Sequence, residues 1–322
     1  MPRFSVVIPL YNKAAEVERA IRSVLRQSER DFELIVVNDG STDGSAYVVE
    51  SIHDGRLRIV HQSNAGVSAA RNRGIAEATG EVVAFLDADD EWMPHFLSLV
   101  SELERQFPEA GAVATCFLID KGPGLVHRAR VTGVPEHPWR GLLHDYFGTR
   151  NTLWSSCVAI RKTVFETTGL FRNGLRMGED LDMWFRIAAY ADIAYTTEVA
   201  AVWHWTASNR ACSSFEARDV TFLHESVAAI INDPRVSVSK KSAAQTYAAD
   251  VELENVKALL RGRRRDEALM CLQRWRSDHR ANCKWCAVRL AAALPNGIYT
   301  RCVRLRQMCI RLILRTNRWS RN

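Results

Sequence analysis

Short apolar runs alternate with amphipathic stretches through the first two hundred residues of the chain. Apolar runs of four to eight residues, typical of buried parallel strands, occur at 4–8, 32–37, 57–60, 82–86, 112–119 and 156–160. Between them, apolar residues that recur every three or four positions predict helices at 14–27, near 67–78 and from 94 to 106. Strands and helices at this spacing predict βαβ units with right-handed crossovers. The expected fold class is therefore α/β, with a mostly parallel sheet flanked by helices.

The pattern changes in the second part of the chain. A helix is predicted to begin at Glu179, and two short β segments are expected at 193–197 and 199–203. The segment from Lys121 to Pro138 has no clear period and predicts a loop or a short hairpin. From about Ser214 nearly all of the sequence predicts helices. Two domains are thus expected, an α/β domain at 1–213 and a helical C-terminal region at 214–322.

Composition places the chain among ordinary soluble proteins, since 47% of its 322 residues are hydrophobic. It begins without the basic and then apolar layout of a signal peptide, and it has no run of about 18 apolar residues. Eight cysteines are scattered among apolar residues, as in a reducing cytoplasm. A single Cys-x-x-Cys, at Cys283 and Cys286, favours no zinc site because it lacks a second well-spaced pair. A cytoplasmic location is expected.

Charge is unevenly distributed along the sequence. Residues 255–322 contain 17 Lys and Arg against 3 Asp and Glu, a net charge of +14, whereas residues 1–254 carry 26 against 34, a net charge of −8. Such a basic tail predicts an anionic partner. Between Cys302 and Ile313 apolar residues alternate with arginines, which suits peripheral attachment to an anionic membrane surface. A helix that packs on the α/β domain of the same chain is equally compatible with this pattern, which disfavours nucleic acid as a partner.

The run Phe85-Leu86-Asp87-Ala88-Asp89-Asp90 carries the strongest chemical signal, because a buried strand ends there in three carboxylates. A helix N-cap explains one aspartate but not three. Parallel sheets bind ligands beyond the carboxyl ends of their strands. An Asp-x-Asp there offers hard oxygen ligands to a divalent cation, such as Mn²⁺ or Mg²⁺, that can also hold a diphosphate.

Polar groups follow the other predicted strands as well, at Tyr11, Asp39 and Asn64. An aromatic ring can stack on a base, and a carboxylate can accept hydrogen bonds from a base or a ribose. The convergence of these groups with the acidic run predicts a nucleoside-diphosphate site. Neither a Gly-x-Gly-x-x-Gly after the first strand nor a Gly-Lys-Ser/Thr loop occurs, which disfavours dinucleotide and P-loop sites.

Five stretches resemble the motifs of the family-2 glycosyltransferases in their order along the chain. Four are similar to the nucleotide-side motifs, namely SVVIPLYN at 5–12, VVNDGSTD at 36–43, NAGVSAARN at 64–72 and FLDADD at 85–90. The fifth, GEDLDMWFR at 178–186, resembles the acidic motif on the acceptor side. The resemblance spans residues 4 to about 210. It implies the Rossmann-like GT-A fold, a nucleotide-sugar donor, with a UDP-sugar favoured, and inversion at the anomeric carbon.

The resemblance also implies roles for single residues. The residues expected to bind the nucleoside are Pro9, Tyr11, Asp39, Asn64 and Arg71. Asp87 would lie near the ribose and the metal, and Asp89 would be the metal ligand. His204, which stands between two tryptophans, would approach the metal or the diphosphate, although a packed core histidine is as common in such a setting.

The general base is assigned to the acidic motif. Asp180 would take the proton of the acceptor hydroxyl as that oxygen attacks the sugar, and Glu179 and Asp182 are competing candidates. The implied function is transfer of a sugar to a glycan or lipid-linked acceptor in cell-surface polysaccharide synthesis.

Two other functions remain open from the residues alone. A sugar-phosphate nucleotidyltransferase would keep the fold but needs a Gly-rich, basic loop after the first strand, which residues 9–13 resemble poorly. A non-enzymatic protein that binds nucleic acid or another anion through the basic tail would show salt-dependent binding without turnover of a donor.

Overall fold

The structure, a computed structural model, describes residues 1–129, 141–143, 145–149, 153–175, 177–207, 220 and 222–274. The strands are β1 (Phe4–Leu10), β2 (Phe32–Asp39), β3 (Leu57–Gln62), β4 (Val82–Phe85), β5 (Glu91–Trp92), β6 (Ala110–Asp120), β7 (Val126–Arg128), β8 (Leu142–Leu143), β9 (Val158–Arg161) and β10 (Asp192–His204). The helices are α1 (Val17–Leu25), α2 (Ser45–Glu50), α3 (Val67–Glu77), α4 (Phe96–Gln106), α5 (Val164–Thr168), α6 (Glu179–Tyr190), α7 (Phe222–Asn232), α8 (Val238–Arg261) and α9 (Arg265–Arg274).

The strands form one sheet in the order β3-β2-β1-β4-β9-β6-β10-β5, with β7 beside β6 and β8 beside β10. Strands β3, β2, β1 and β4 run parallel, and β10 is parallel to β6. Strand β9 is antiparallel to both of its neighbours, so the sheet is mixed beyond β4. The β1 residues are buried along the whole strand, as expected for a strand covered on both faces. The predicted α/β class is confirmed.

Strand β1 extends beyond the run predicted at 4–8, through Pro9 to Leu10. Proline has no N–H to donate to a neighbouring strand. On one side β1 pairs with β2 up to Leu10, but on the other side β4 pairs with β1 only as far as Val7. The early end of β4 leaves room in the ladder for a residue that cannot donate, and this accommodates the proline.

The two β segments predicted at 193–197 and 199–203 are one strand, β10. Its pairing with β6 shifts register between Thr196 and Val199 and again between Val199 and Ala201. Such bulges leave residues out of the ladder while the strand continues. For this reason the sequence predicts two short strands where the structure has one continuous strand. The predicted loop or short hairpin after Lys121 contains β7, which is antiparallel to β6.

Beyond Val220 the described residues form the helices α7, α8 and α9, as predicted. The chain divides into two compact units, one with residues 1–213 and 221–247 and the other with residues 214–220 and 248–322. The domain boundary predicted at residue 213 stays a prediction. Cys283, Cys286 and the basic apolar stretch from Cys302 to Ile313 lie outside the described residues.

Within the part of the chain that the structure describes, no helix combines the length and the apolar character needed to cross a membrane.

Helix α3 packs so closely on β1 that a single methyl group should matter. A Cβ at Gly74 would lie 2.2 Å from Cγ1 of Val7. We expect Gly74→Ala to lower the free energy of unfolding by roughly 1–3 kcal/mol through overpacking. Alanine would otherwise stabilise a helix interior by about 1 kcal/mol. Urea unfolding measures the difference.

Gly55→Ala is the matched control, because no atom lies within 4 Å of a Cβ at Gly55. It should leave stability unchanged or raise it by up to about 1 kcal/mol. Equal effects of the two substitutions would contradict the close contact between α3 and β1.

Candidate active site

The carboxyl ends of β1, β2, β3 and β4 meet at one edge of the sheet, because these strands are parallel neighbours. Tyr11 follows β1 with 44% of its surface exposed, and Asn64 follows β3 and is also exposed. Pro9 is buried in β1. Tyr11 and Asn64 therefore offer accessible side chains at the edge where a ligand is expected.

The loop after β1 is fastened to the loop after β2. Asn12 has φ 51°, in the left-handed region that asparagine tolerates better than most residues. Its side-chain oxygen accepts the N–H of Thr42 at 2.8 Å, and its own N–H donates to Ser41 Oγ at 3.1 Å. The next two N–H groups, of Lys13 and Ala14, donate to Oγ of Ser45, the first residue of α2, and to Oδ2 of Asp43. The backbone beside Tyr11 is therefore fixed.

Asp39, a predicted nucleoside ligand, is buried at the end of β2 with 2% of its surface exposed. Its carboxylate accepts the main-chain N–H groups of Ala65 and Gly66, each at 2.9 Å, and Nε2 of Gln62 at 2.7 Å. These bonds hold the turn that carries Asn64. A direct contact between Asp39 and a nucleoside stays a prediction.

The acidic loop after β4 is surrounded by cationic side chains. Nζ of Lys13 lies 2.7 Å from Oδ2 of Asp89, and both side chains are less than 20% exposed. The guanidinium of Arg19 donates to the main-chain oxygen of Asp89 at 2.6 Å. Arg71 donates to Oδ1 of Asp87 at 2.8 Å. These three cations offset much of the negative charge that the acidic run brings together.

Asp90, the third aspartate of the run, is buried and holds the loop in place. Its carboxylate accepts the hydroxyl of Ser156 at 2.7 Å and the main-chain N–H of His204 at 3.3 Å. The Ser156 oxygen in turn accepts the N–H of Asp87 at 3.0 Å. Burial raises the pKa of Asp90 well above its usual range, and the charges of Asp87 and Asp89 raise it further.

His204, a predicted metal ligand, lies at the end of β10 between two carboxylates. Its Nδ1 is 3.2 Å from Oδ2 of Asp120, and its Nε2 is 3.2 Å from Oε2 of Glu91. The imidazole is thus occupied by protein partners in this structure. A role of His204 toward a metal or a diphosphate stays a prediction.

Arg71 joins the acidic loop to the acceptor-side motif. Its side chain is 3% exposed and donates to Asp87 at 2.8 Å and to Glu179 at 3.0 Å. Its guanidinium also lies 5.3 Å from the ring centre of Phe171. Burial alone would lower the pKa of Arg71, but the charges of Asp87 and Glu179 more than offset this effect and raise that pKa. Its predicted contact with the nucleoside stays a prediction, whereas the structure shows an ion pair with each carboxylate.

The three acidic residues at the start of α6 differ in their surroundings. Asp182 is fully buried and accepts hydrogen bonds from Arg186 and Ser226. Glu179 is largely buried against Arg71, and this burial, together with the charge of Asp180, raises its pKa. Asp180 is partly exposed and accepts the N–H of Leu181 at 2.7 Å. Glu179 and Asp180 therefore both keep part of their surface exposed, whereas Asp182 is enclosed.

The carboxylate oxygens of the acidic loop suit a hard divalent cation whose remaining ligands come mainly from the substrate. Asp87 and Asp89 supply carboxylate oxygens, and the described residues contain no group of three or more His, Cys, Asp or Glu arranged for a metal ion. Mg²⁺ keeps several waters and is commonly bound by one or two carboxylates together with substrate phosphates. Two aspartates at a strand end meet that requirement.

Several residues of the site are missing from the sequence-based assignment. The motifs do not assign four residues that contact assigned members of the site, namely Lys13, Ser156, Glu91 and Asp120. Asp90 belongs to the acidic motif, but the motif gives it no role. Asp90 comes directly after a buried strand and two other aspartates, and this position in the sequence indicates a residue of the site. Nothing in the sequence near Ser156 indicates a partner in the loop after β4.

An aromatic cluster lies beside the acidic loop. Ring centres are 5.5 Å apart between Trp154 and Trp203 and 4.7 Å apart between Trp203 and Trp205. The cluster is tied to Asp90 on two sides, because Ser156 follows Trp154 by two residues and His204 separates the other two tryptophans. Trp205 is 38% exposed, and Nζ of Lys121 lies 5.0 Å from its ring centre. An accessible aromatic surface thus adjoins the acidic loop.

Comparison with known proteins agrees with this geometry. The model of the family described as "Glycosyl transferase family 2" matches residues 5–169, which include the four nucleotide-side motifs and Ser156. The chain belongs to glycosyl transferase family 2. The family predicted from the motifs, a family of transferases, is confirmed.

Among curated relatives, the uncharacterized glycosyltransferase alr2836 of Nostoc sp. is 40% identical over 134 residues, which are 41% of this chain and 42% of that protein. The uncharacterized glycosyltransferase YibD of Escherichia coli is 46% identical over 94 residues, 29% of this chain and 27% of that protein. The matched segments thus span less than half the length of these relatives.

Solved structures share the fold. A crystal structure of S. aureus TarS in complex with UDP-GlcNAc superposes with a TM-score of 0.61 at 17% identity, over 80% of this chain and 81% of that one. The mannosyltransferase PcManGT from Pyrobaculum calidifontis, in complex with GDP-Man and Mn²⁺, gives a TM-score of 0.55 at 19% identity, over 100% and 88% of the chains. The expected GT-A fold is confirmed.

The buried position of Arg71 generates a stability prediction. Arg71→Met should lower the free energy of unfolding by roughly 3–5 kcal/mol, because it leaves Asp87 and Glu179 without their shared buried partner. Arg73→Met on the same helix is the control. The Arg73 side chain is 49% exposed and pairs with Glu77, so its loss should cost no more than about 0.5 kcal/mol. Equal losses in urea unfolding would contradict the linking role of Arg71.

Proposed function

We propose that this protein is an inverting, metal-dependent glycosyltransferase. It takes a sugar from a nucleoside-diphosphate donor, with UDP-sugars as the first candidates, and places it on a hydroxyl of a glycan or lipid-linked acceptor. The observation that carries the proposal is the link through Arg71, which sets the acidic loop and the acceptor-side carboxylates on either side of one guanidinium.

The donor half of the proposal is supported by the sheet edge. Tyr11 offers an exposed ring for a base, and Asp87 and Asp89 offer oxygens for Mn²⁺ or Mg²⁺. TarS is known with UDP-GlcNAc and PcManGT with GDP-Man and Mn²⁺, on the same fold. A bound cation would offset the charge that grows on the leaving diphosphate.

The base is assigned to Asp180. In a direct displacement a carboxylate takes the proton of the acceptor hydroxyl while the hydroxyl oxygen attacks the anomeric carbon of the donor sugar. The bond from that carbon to the diphosphate breaks in the same step. Asp182 is enclosed by Arg186 and Ser226, and Glu179 is held by Arg71. Asp180 is partly exposed at the start of the same helix, so it is the candidate in preference to Asp182, which is enclosed, and Glu179, whose carboxylate Arg71 holds.

A saccharide acceptor is supported by the aromatic cluster of Trp154, Trp203 and Trp205. A sugar ring has an apolar face of C–H groups and a rim of hydroxyls, so it stacks on an exposed indole while its hydroxyls bond to nearby polar groups. Glu91 and Asp120, which flank His204, are partly exposed acceptors in the same neighbourhood. Because the cluster adjoins the acidic loop, a sugar stacked there would lie beside the donor.

Asp180→Asn should reduce sugar transfer by about 10²–10⁴-fold, because it removes a general base. UDP affinity measured by calorimetry should change little, since Asp180 faces the acceptor rather than the nucleotide. Transfer is measured with a panel of nucleotide sugars in the presence of Mn²⁺ or Mg²⁺.

Glu179→Gln is the companion variant and should lose less activity than Asp180→Asn. An inactive Glu179→Gln beside a largely active Asp180→Asn would reassign the base to Glu179. A wild-type protein that turns over no nucleotide sugar in the panel would contradict the proposed function itself.

Trp205→Ala should raise the KM for a saccharide acceptor about fivefold, equivalent to roughly 1 kcal/mol of lost stacking. Hydrolysis of the donor in water should stay unchanged, because water does not need the indole. The measurement uses a panel of methyl glycosides as acceptors, and Tyr47→Ala removes another exposed aromatic ring, on α2, as the control. An unchanged acceptor KM in Trp205→Ala would exclude the aromatic surface as the acceptor site.

A further inference from the structure

Lys13 and Asp89 form an ion pair at the position where a metal ion is expected. The distance from Nζ to Oδ2 is 2.7 Å, and the exposed fractions of the two side chains are 11% and 18%. The partners are 76 residues apart in sequence and come from the loops after β1 and β4. The proposed function, on which this inference rests, requires a divalent cation to use the same carboxylate.

The main chain of Lys13 is held on both sides, independently of its ammonium group. Its N–H donates to Oγ of Ser45 at 2.8 Å. Its carbonyl oxygen accepts the N–H groups of Glu16 and Val17, which open α1, at 3.1 and 2.9 Å. The side chain can therefore change partners through rotation of its own bonds while the loop stays in place.

Two cations compete for one carboxylate oxygen. A divalent ion bound at Asp89 would place two positive charges near the Lys13 ammonium, and repulsion at short range in a poorly solvated site would disfavour the present ion pair. A donor diphosphate held by that ion brings two anionic phosphates into the reach of the displaced lysine. Lysine is a common phosphate ligand because it presents a compact charge on a flexible stem.

We propose that Lys13 is a diphosphate-binding residue that exchanges partners. Without donor it neutralises Asp89, and when metal and nucleotide arrive it leaves Asp89 to the metal and binds a phosphate oxygen of the nucleoside diphosphate. Charge is then neutralised in both states, with and without the donor. Lys13 thereby weakens the binding of a metal ion alone and favours its arrival together with the diphosphate.

The test separates metal binding from nucleotide binding in the full chain. Mn²⁺ binding without nucleotide is followed by electron paramagnetic resonance, and UDP binding at saturating Mn²⁺ is measured by calorimetry. Lys13→Met should bind Mn²⁺ alone about tenfold more tightly, since a competing cation is gone. The same variant should bind UDP about tenfold more weakly at saturating Mn²⁺, since a phosphate ligand is lost.

Three further variants serve as controls. Lys13→Arg keeps the charge and should stay close to wild type in both titrations, and Lys13→Gln provides a second neutral side chain if the methionine variant folds poorly. Lys240→Met removes a lysine that pairs with Asp192 at 3.1 Å, at the other end of β10 from His204. It should change neither affinity.

Opposite changes in the two affinities are the signature of the exchange. A purely structural role for Lys13 would weaken both affinities, and unchanged UDP affinity at saturating Mn²⁺ would exclude the phosphate contact. Either result overturns the inference while wild-type binding of UDP with Mn²⁺ upholds the proposed function. A wild-type protein that binds neither UDP nor GDP with Mn²⁺ overturns both together.

Discussion

The ion pairs of Arg71 with Asp87 and Glu179 are the interaction on which the rest of the site depends. A buried guanidinium is stable only when carboxylates surround it, and these two carboxylates belong to the acidic loop after β4 and to the first turn of α6. One side chain thus fixes the distance between the part of the site assigned to the donor and the part assigned to the acceptor. In a displacement reaction this distance decides whether the acceptor oxygen can reach the anomeric carbon.

Around that link, buried hydrogen bonds hold the chemistry on rigid elements. Asp90 and Ser156 fix the acidic loop against the start of β9, and Asp39 fixes the turn of residues 64–66. These residues do their work by orienting accessible neighbours such as Asp89 and Asn64. With this support, the few groups that the substrates must reach can stay exposed at the surface of the site.

Local sequence patterns predicted the strands and helices of the sheet and the edge on which the site lies, because burial and periodicity are local signals. They missed the continuation of β1 through Pro9, which depends on where β4 stops, and the unity of β10, which depends on its bulges against β6. The partners of buried polar groups were also beyond their reach. Arg71 and Glu179 are 108 residues apart, and only the tertiary fold brings them to 3.0 Å.

The stereochemistry of the reaction tests the account most directly, because a carboxylate base opposite a diphosphate leaving group requires a single displacement. Proton NMR during the first turnovers of donor hydrolysis, with an α-linked nucleotide sugar that the enzyme accepts, identifies the anomer of the released sugar before it mutarotates. The account predicts that the β-anomer forms first. Initial formation of the α-anomer would show retention and would contradict the role assigned to Asp180 and the arrangement built around Arg71.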